Sequence, residues 1–121
     1  MLSKLHRLTC SQDFVTVYRF GKRCSCPALV LRAYQHRSLS PASSHPLRIG
    51  FSISHKVSKK AVIRNRIKRQ LRAASRQLLP HLQPGWDVVV VVRSAAIQCD
   101  YWQFLQQLRK LFADAEILNG Y

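Results

Sequence analysis

Five consecutive valines, inside the run WDVVVVVR at residues 86–93, constrain the fold more than any other feature of this chain. A strand turns successive side chains to opposite faces, so an unbroken β-branched run needs apolar cover on both sides of its sheet. The chain must therefore supply neighbouring strands and helices to pack on them. With 47% hydrophobic residues in 121, it can bury one modest core, and two folded units would be hard to fit, so 1–121 reads as a single domain.

The remaining elements follow from periodicity. Residues 47–54 alternate strictly, Leu47, Ile49, Phe51 and Ile53 against Arg48, Gly50, Ser52 and Ser54, which predicts a strand with one buried face. The opposite face is small and hydroxylated and leaves room for a bulky ligand to lie on the sheet; taken alone, a solvated sheet face is the simpler reading. Residues 23–35 alternate loosely around Pro27, with Val30 and Tyr34 opposite Leu29, Leu31 and Ala33, and predict a bent strand or two short ones. The Ser- and Pro-rich stretch 36–46 reads as a polar loop.

Three helices are expected. Ser11 stands where a cap would start the first, with Asp13 in its first turn, Phe14, Val17 and Tyr18 on one face and Gly21 as its stop. Phe14 and Val17 read as core, whereas Tyr18, beside Arg19, Lys22 and Arg23, can stack on an unpaired base. Residues 59–79 form the strongest helical pattern, with Ile63, Ile67, Leu71, Ala74 and Leu78 on one stripe. Asp100 with Gln103 predicts a capping box before a last helix whose apolar stripe is Trp102, Leu105, Leu108 and Phe112. The order is helix, two or three strands, long helix, strand, helix, an α+β domain.

Charge narrows the function. Twenty Lys and Arg against five Asp and Glu give a net +15, and residues 14–86 hold 15 of those cations and no carboxylate. The remaining residues carry five of each sign. A solvated surface ordinarily mixes both signs, while uncompensated cations repel one another until a partner supplies phosphates. The long helix is the extreme case: eight cations lie between Lys59 and Arg76, and no Asp or Glu is available for i,i+4 pairing.

The same distribution argues against several chemistries. A metal-dependent nuclease site is built from clustered carboxylates, and the basic region has none. His6, His36, His45, His55 and His81 show no HExxH spacing and read as surface or RNA-facing residues. Cys10, Cys24, Cys26 and Cys99 contain no CxxC, so zinc binding has little support, and Cys24 and Cys26 on a strand would share a face as small apolar residues. The first nine residues lack the apolar core of a signal peptide, and no apolar run is long enough to span a bilayer, so a reducing cytoplasm with free thiols is expected.

Within the basic helix, Arg64-Asn65-Arg66 sets two guanidiniums about 200° apart around an amide, at 3.6 residues per turn, so that each can fork onto a different phosphate or base edge. The run ISHKVSKKAVIRNRIKRQLR at 53–72, together with HRLTCSQDFVTVYRFGKR at 6–23, LRIGFSIS at 47–54 and the valine strand followed by a helix, resembles the bacterial ribonuclease P protein subunit over nearly the whole chain. The resemblance implies a ribosomal-protein-like two-layer α+β sandwich of order αβββαβα with a four-stranded sheet. It also implies a subunit of the ribonucleoprotein endonuclease that removes the 5′ leader of precursor tRNA. Its partners would be the catalytic RNA and precursor tRNA, with one protein monomer per RNA and no membrane. Catalysis would belong to the RNA, with Mg2+ bound mainly by that RNA, no catalytic protein side chain and no protein-held metal. Carried over by position, Arg64, Asn65, Arg66, Lys68, Arg69 and Arg72 would contact the catalytic RNA, and Phe14, Tyr18, Arg48, Ser52, Ser54 and Lys56 would line a cleft for the leader. His55, Ser58 and Phe20 depart from the usual pattern, where Lys, Gly and a polar residue are commoner.

A general RNA-binding or ribosomal-type protein without enzymatic context is the competing reading. The two differ in the number of RNA surfaces: a small polar strand face beside an aromatic helix, plus a separate RNR helix, suggests a bridge between two RNAs.

Overall fold

The computed structural model describes residues 6–36 and 46–118. Its elements are α1 (Ser11–Phe20), β1 (Lys22–Ser25), β2 (Leu29–Gln35), β3 (Arg48–Ser52), α2 (Ala61–Leu78), β4 (Trp86–Val92) and α3 (Tyr101–Asp114), with 3-10 turns at Leu79–His81 and Ser94–Gln98. The order αβββαβα and a four-stranded sheet are those expected. Apart from its end residues, the loop expected over 36–46 lies outside the described residues.

The sheet runs β1-β2-β4-β3, with β4 antiparallel to β2 and parallel to β3, the α2 connection making the crossover. The valine run sits in the interior of this sheet. Val88, Val90 and Val92 face a core of Leu29, Leu31, Ile49, Ile67, Leu71, Phe104, Leu108 and Phe112 under α2 and α3. Val89 faces the other way, onto Leu8 and Val17, with Phe14, Tyr34 and Val91 packed around them beneath α1. Both faces of the strand are thus covered. The outer edge of β3 is covered too: Leu8 N–H donates to the Ile49 carbonyl at 3.0 Å.

Four local expectations need correction. Ser11 is the first helical residue and Cys10 the N-cap, with no side-chain cap bond. Gly21 does end α1, but its backbone is extended at φ −80° rather than left-handed. Its lack of a side chain serves close approach, because a Cβ there would lie 2.5 Å from the Val17 carbonyl oxygen and 2.8 Å from that of Ala33. The basic helix starts at Ala61, with Lys60 as N-cap. In α3 the capping box is as read, but the buried face is Phe104, Leu105, Leu108, Leu111 and Phe112. Trp102 is 68% exposed and stacks edge-on against Tyr101; the buried arc is centred on Phe104, Leu108 and Leu111, which leaves Trp102 outside it.

Candidate RNA-binding surfaces

Helix α2 forms the first surface. Ile67, Leu71, Ala74 and Leu78 are buried on its inner stripe, and Asn65, Lys68, Arg69 and Arg72 line an open groove of about 450 Å3 outside. Arg64 and Arg66 splay apart as the periodicity requires. Arg64 donates from Nη1 to the Ser58 carbonyl at 2.8 Å, and Arg66 from Nη2 to the Ile97 carbonyl at 2.9 Å. Arg66 is therefore partly committed to the 3-10 turn before α3, and its Nε is buried without a partner. None of the α2 cations pairs with a carboxylate among the described residues. The helix also begins without a side-chain cap or an acidic first turn, and Lys59 and Lys60 stand at the positive end of its dipole. An anion there would relieve both.

Three of the five carboxylates are occupied elsewhere. Asp87, buried on β4, accepts from Arg48 Nε at 2.8 Å and Nη2 at 2.7 Å, and lies 2.6 Å from His36 Nε2. Asp13 on α1 takes the third Arg48 nitrogen, at 3.3 Å. Asp100 caps α3. Hydrogen bonding to Asp87 holds the Arg48 guanidinium more firmly protonated than usual, against a smaller opposing effect of burial. Among the described residues no three His, Cys, Asp or Glu side chains gather into a metal site.

The second surface lies between α1 and the sheet, and the structure divides the six residues expected there. Phe14 crosses onto β3 at Gly50, where a Cβ would meet the ring at 2.5 Å, so the space that the small strand face seemed to reserve for a ligand is filled at Gly50 by the chain's own aromatic ring. Arg48 ties β3 to β4 and α1 through the two aspartates. Tyr18 is 40% exposed over β2, with the Arg32 guanidinium 5.1 Å from its ring centre. Ser52 ends β3 and is half-buried. Ser54 and Lys56 belong to the turn that leads into α2, where the Ser54 hydroxyl accepts from the Lys56 backbone N–H at 3.2 Å.

The two surfaces meet at the β3 edge. A small cavity of about 110 Å3 there is lined by Arg7, Thr9 and Phe14 on one side and by Lys68 and Arg72 of α2 on the other. Sequence reading missed Arg7 and Arg32. Strand parity could have found Arg32, which shares the Tyr34 face, but nothing in the pattern around Arg7 marks it as an edge residue.

A cationic α+β sandwich whose one long helix presents six cations without carboxylates, beside an aromatic cleft, is a nucleic-acid-binding protein of the phosphate-reading kind. The Ribonuclease P family profile matches residues 2–116. A Cyanothece ribonuclease P protein component is 56% identical over 131 aligned residues that cover 100% of both chains, and one from a Picosynechococcus is 48% identical over 99% of this chain and 98% of its own. Among solved structures, the RNase P protein of Staphylococcus aureus superposes with a TM-score of 0.79 at 25% identity, covering 100% of this chain and 97% of that one. That of Thermotoga maritima gives 0.73 at 25% identity, over 87% and 95%. The chain belongs to the ribonuclease P protein family: it is the protein subunit of the tRNA-processing endoribonuclease and a partner of the ribonuclease P RNA. No helix among the described residues is long and apolar enough to cross a membrane.

Proposed function

We propose that this chain bridges two RNAs, holding the catalytic RNA on α2 through Arg64, Asn65, Arg66, Lys68, Arg69 and Arg72, and the 5′ leader of precursor tRNA in the α1 cleft. The observation that carries this is the junction at the β3 edge, where Lys68 and Arg72 from one surface and Phe14 from the other line a single cavity. A leader leaving the cleft on that side meets cations that also face the catalytic RNA, so the cleavage site is brought close to the RNA that cuts it. In the cleft, Tyr18 stacks and Ser52 offers a hydroxyl, while Ser54 and Lys56 serve the strand where it passes the start of α2. Arg48 shapes the floor, since its charge is spent on Asp87 and Asp13. One protein monomer serves one RNA, in the cytoplasm. Magnesium is held mainly by the RNA, because three of this chain's five carboxylates are occupied in Arg48, His36 and capping contacts.

The test is leader cleavage of a precursor tRNA at low magnesium with protein alone, with a bacterial ribonuclease P RNA alone, and with both. Strong enhancement in the mixture only is expected. Tight RNA binding without enhancement would instead favour a general RNA-binding protein, and cleavage by protein alone would place a catalytic site in the chain.

A further inference from the structure

The far end of the same sheet carries a group of side chains that the two surfaces above do not use. Phe20, on the last turn of α1, is 69% exposed, and its ring centre lies 6.5 Å from that of Tyr34 at an interplanar angle of 53°. Tyr34 in turn meets His36 edge-on at 5.0 Å. Lys22 Nζ stands 5.2 Å from the centre of the Trp86 ring. These side chains and Gln35 surround an open cleft of about 460 Å3.

The group is held firmly. Gly21 brings the end of α1 against the Val17 and Ala33 carbonyls, closer than any side chain would allow, and Lys22 is fixed opposite Ala33 in the β1–β2 register. Phe20 therefore stands beside Tyr34 on the α1 face, while Lys22, on the Ala33 face, reaches over Trp86 at the rim of the same cleft. Phe20 contributes to neither hydrophobic core, so packing does not explain a large aromatic ring left in water. Arg19, Lys22 and Arg23 pair with no carboxylate among the described residues. Aromatic faces interleaved with unpaired cations are what binds single-stranded nucleic acid without reading its sequence: bases stack and cations follow the backbone.

Position selects the source of the strand. Tyr34 stands two residues after Arg32 on β2 and shares its face, and Arg32 is stacked on Tyr18. We infer that Phe20 and Tyr34 form a second stacking site for an unpaired leader nucleotide, beyond the one at Tyr18, with Lys22 drawing its phosphate. The inference rests on the leader occupying the α1 cleft. It assigns the leader a longer track, from the β3 edge across α1 to the free end of β2.

The experiment uses the reconstituted holoenzyme and precursor tRNAs that each carry one abasic nucleotide along the leader, with affinity measured for the wild type, Phe20→Ala, Phe20→Trp and Tyr18→Ala. If Phe20 stacks, removing one particular base costs about tenfold in the wild type and nothing further in Phe20→Ala, at a position different from the one coupled to Tyr18. Phe20→Trp keeps the coupling. Phe20 is exposed and belongs to neither core, so its substitution leaves both cores intact, and circular dichroism of each variant checks the fold. The second site is overturned if Phe20→Ala changes nothing, if its loss is uniform along the leader and equal for mature tRNA, or if the loss appears in binding to the catalytic RNA alone. Tyr18 coupled and Phe20 uncoupled removes only this inference; neither coupled removes the leader reading of the cleft as well.

Discussion

A Cβ on Gly50 would sit 2.5 Å from the Phe14 ring and 3.2 Å from the Leu8 Cβ, so Gly50→Ala must push Phe14 off the sheet. Overpacking of this kind costs about 1–3 kcal/mol. Denaturant unfolding should show that loss in the wild-type background and a smaller one beside Phe14→Ala; equal losses would mean that Phe14 is not what the methyl meets. Asp87 makes a second single-residue case. Its carboxylate is buried and receives Arg48 in a two-point fork, so Asp87→Asn leaves the guanidinium with one aspartate instead of two. Breaking a buried pair from one side costs about 3–5 kcal/mol, and because Arg48 keeps a quarter of its exposure and its Asp13 contact, the lower end is expected in chemical denaturation. Neither contact was legible in the sequence. The alternation at 47–54 located the Arg48 and Gly50 face correctly, but alternation says nothing of what crosses that face, and Asp87 inside an apolar run gives no sign of its partner. The cysteines were legible. Cys26 is buried and Cys24 packs against the same core, although Cys26 lies just past the end of β1 rather than on it, and burial first of all pushes both thiols upward. Their thiolate fraction at pH 8 is thereby reduced.

The basic helix was the most legible element, because an apolar stripe at 3.6-residue spacing survives any tertiary context that buries it. Its start was not, since Lys59 and Lys60 fit the helix by charge pattern while no capping residue marks the boundary. That absence gives a prediction. Lys60→Asp supplies the missing N-cap and a negative charge at the positive end of the dipole, and should stabilise the free protein by about 1 kcal/mol while weakening its affinity for the catalytic RNA. Parallel thermal melts and RNA titrations check it; a variant that gained stability and kept its affinity would show that no phosphate approaches this end of the helix. Arg69 is the better probe of the groove than Arg66, whose bond to the Ile97 carbonyl mixes fold with binding. Arg69→Ala should lower affinity for the catalytic RNA and reduce the slope of log affinity against log salt by about 0.7–0.9, the contribution of one phosphate contact. An unchanged slope would place Arg69 away from the backbone.

At the scale of the whole molecule, the net +15 works against the compact state, since folding gathers 15 cations from a carboxylate-free stretch onto one small domain. Three carboxylates that might have offset them are tied up, two on Arg48 and one at the α3 cap. The free protein is therefore expected to borrow stability from anions. Two effects must be separated: screening depends on ionic strength alone, whereas binding to sites such as the Arg7, Lys68 and Arg72 cavity depends on the anion and saturates. Sulfate and chloride compared at equal ionic strength resolve them, once the general salting effect of sulfate is subtracted with a variant. Lys68→Gln with Arg72→Gln removes two of the three cavity cations while leaving the buried stripe of α2 intact. Sulfate should raise the unfolding free energy of the wild type by about 2.7 kcal/mol at a hundred times its dissociation constant, and that of the double variant by clearly less. If the two proteins gain equally, the cavity is not an anion site, and the closeness of the two RNA surfaces at the β3 edge loses its energetic meaning. If the variant gains less, the place where this chain most needs a phosphate is also the place where its two surfaces meet, and RNA binding there completes the fold as it joins the two RNAs.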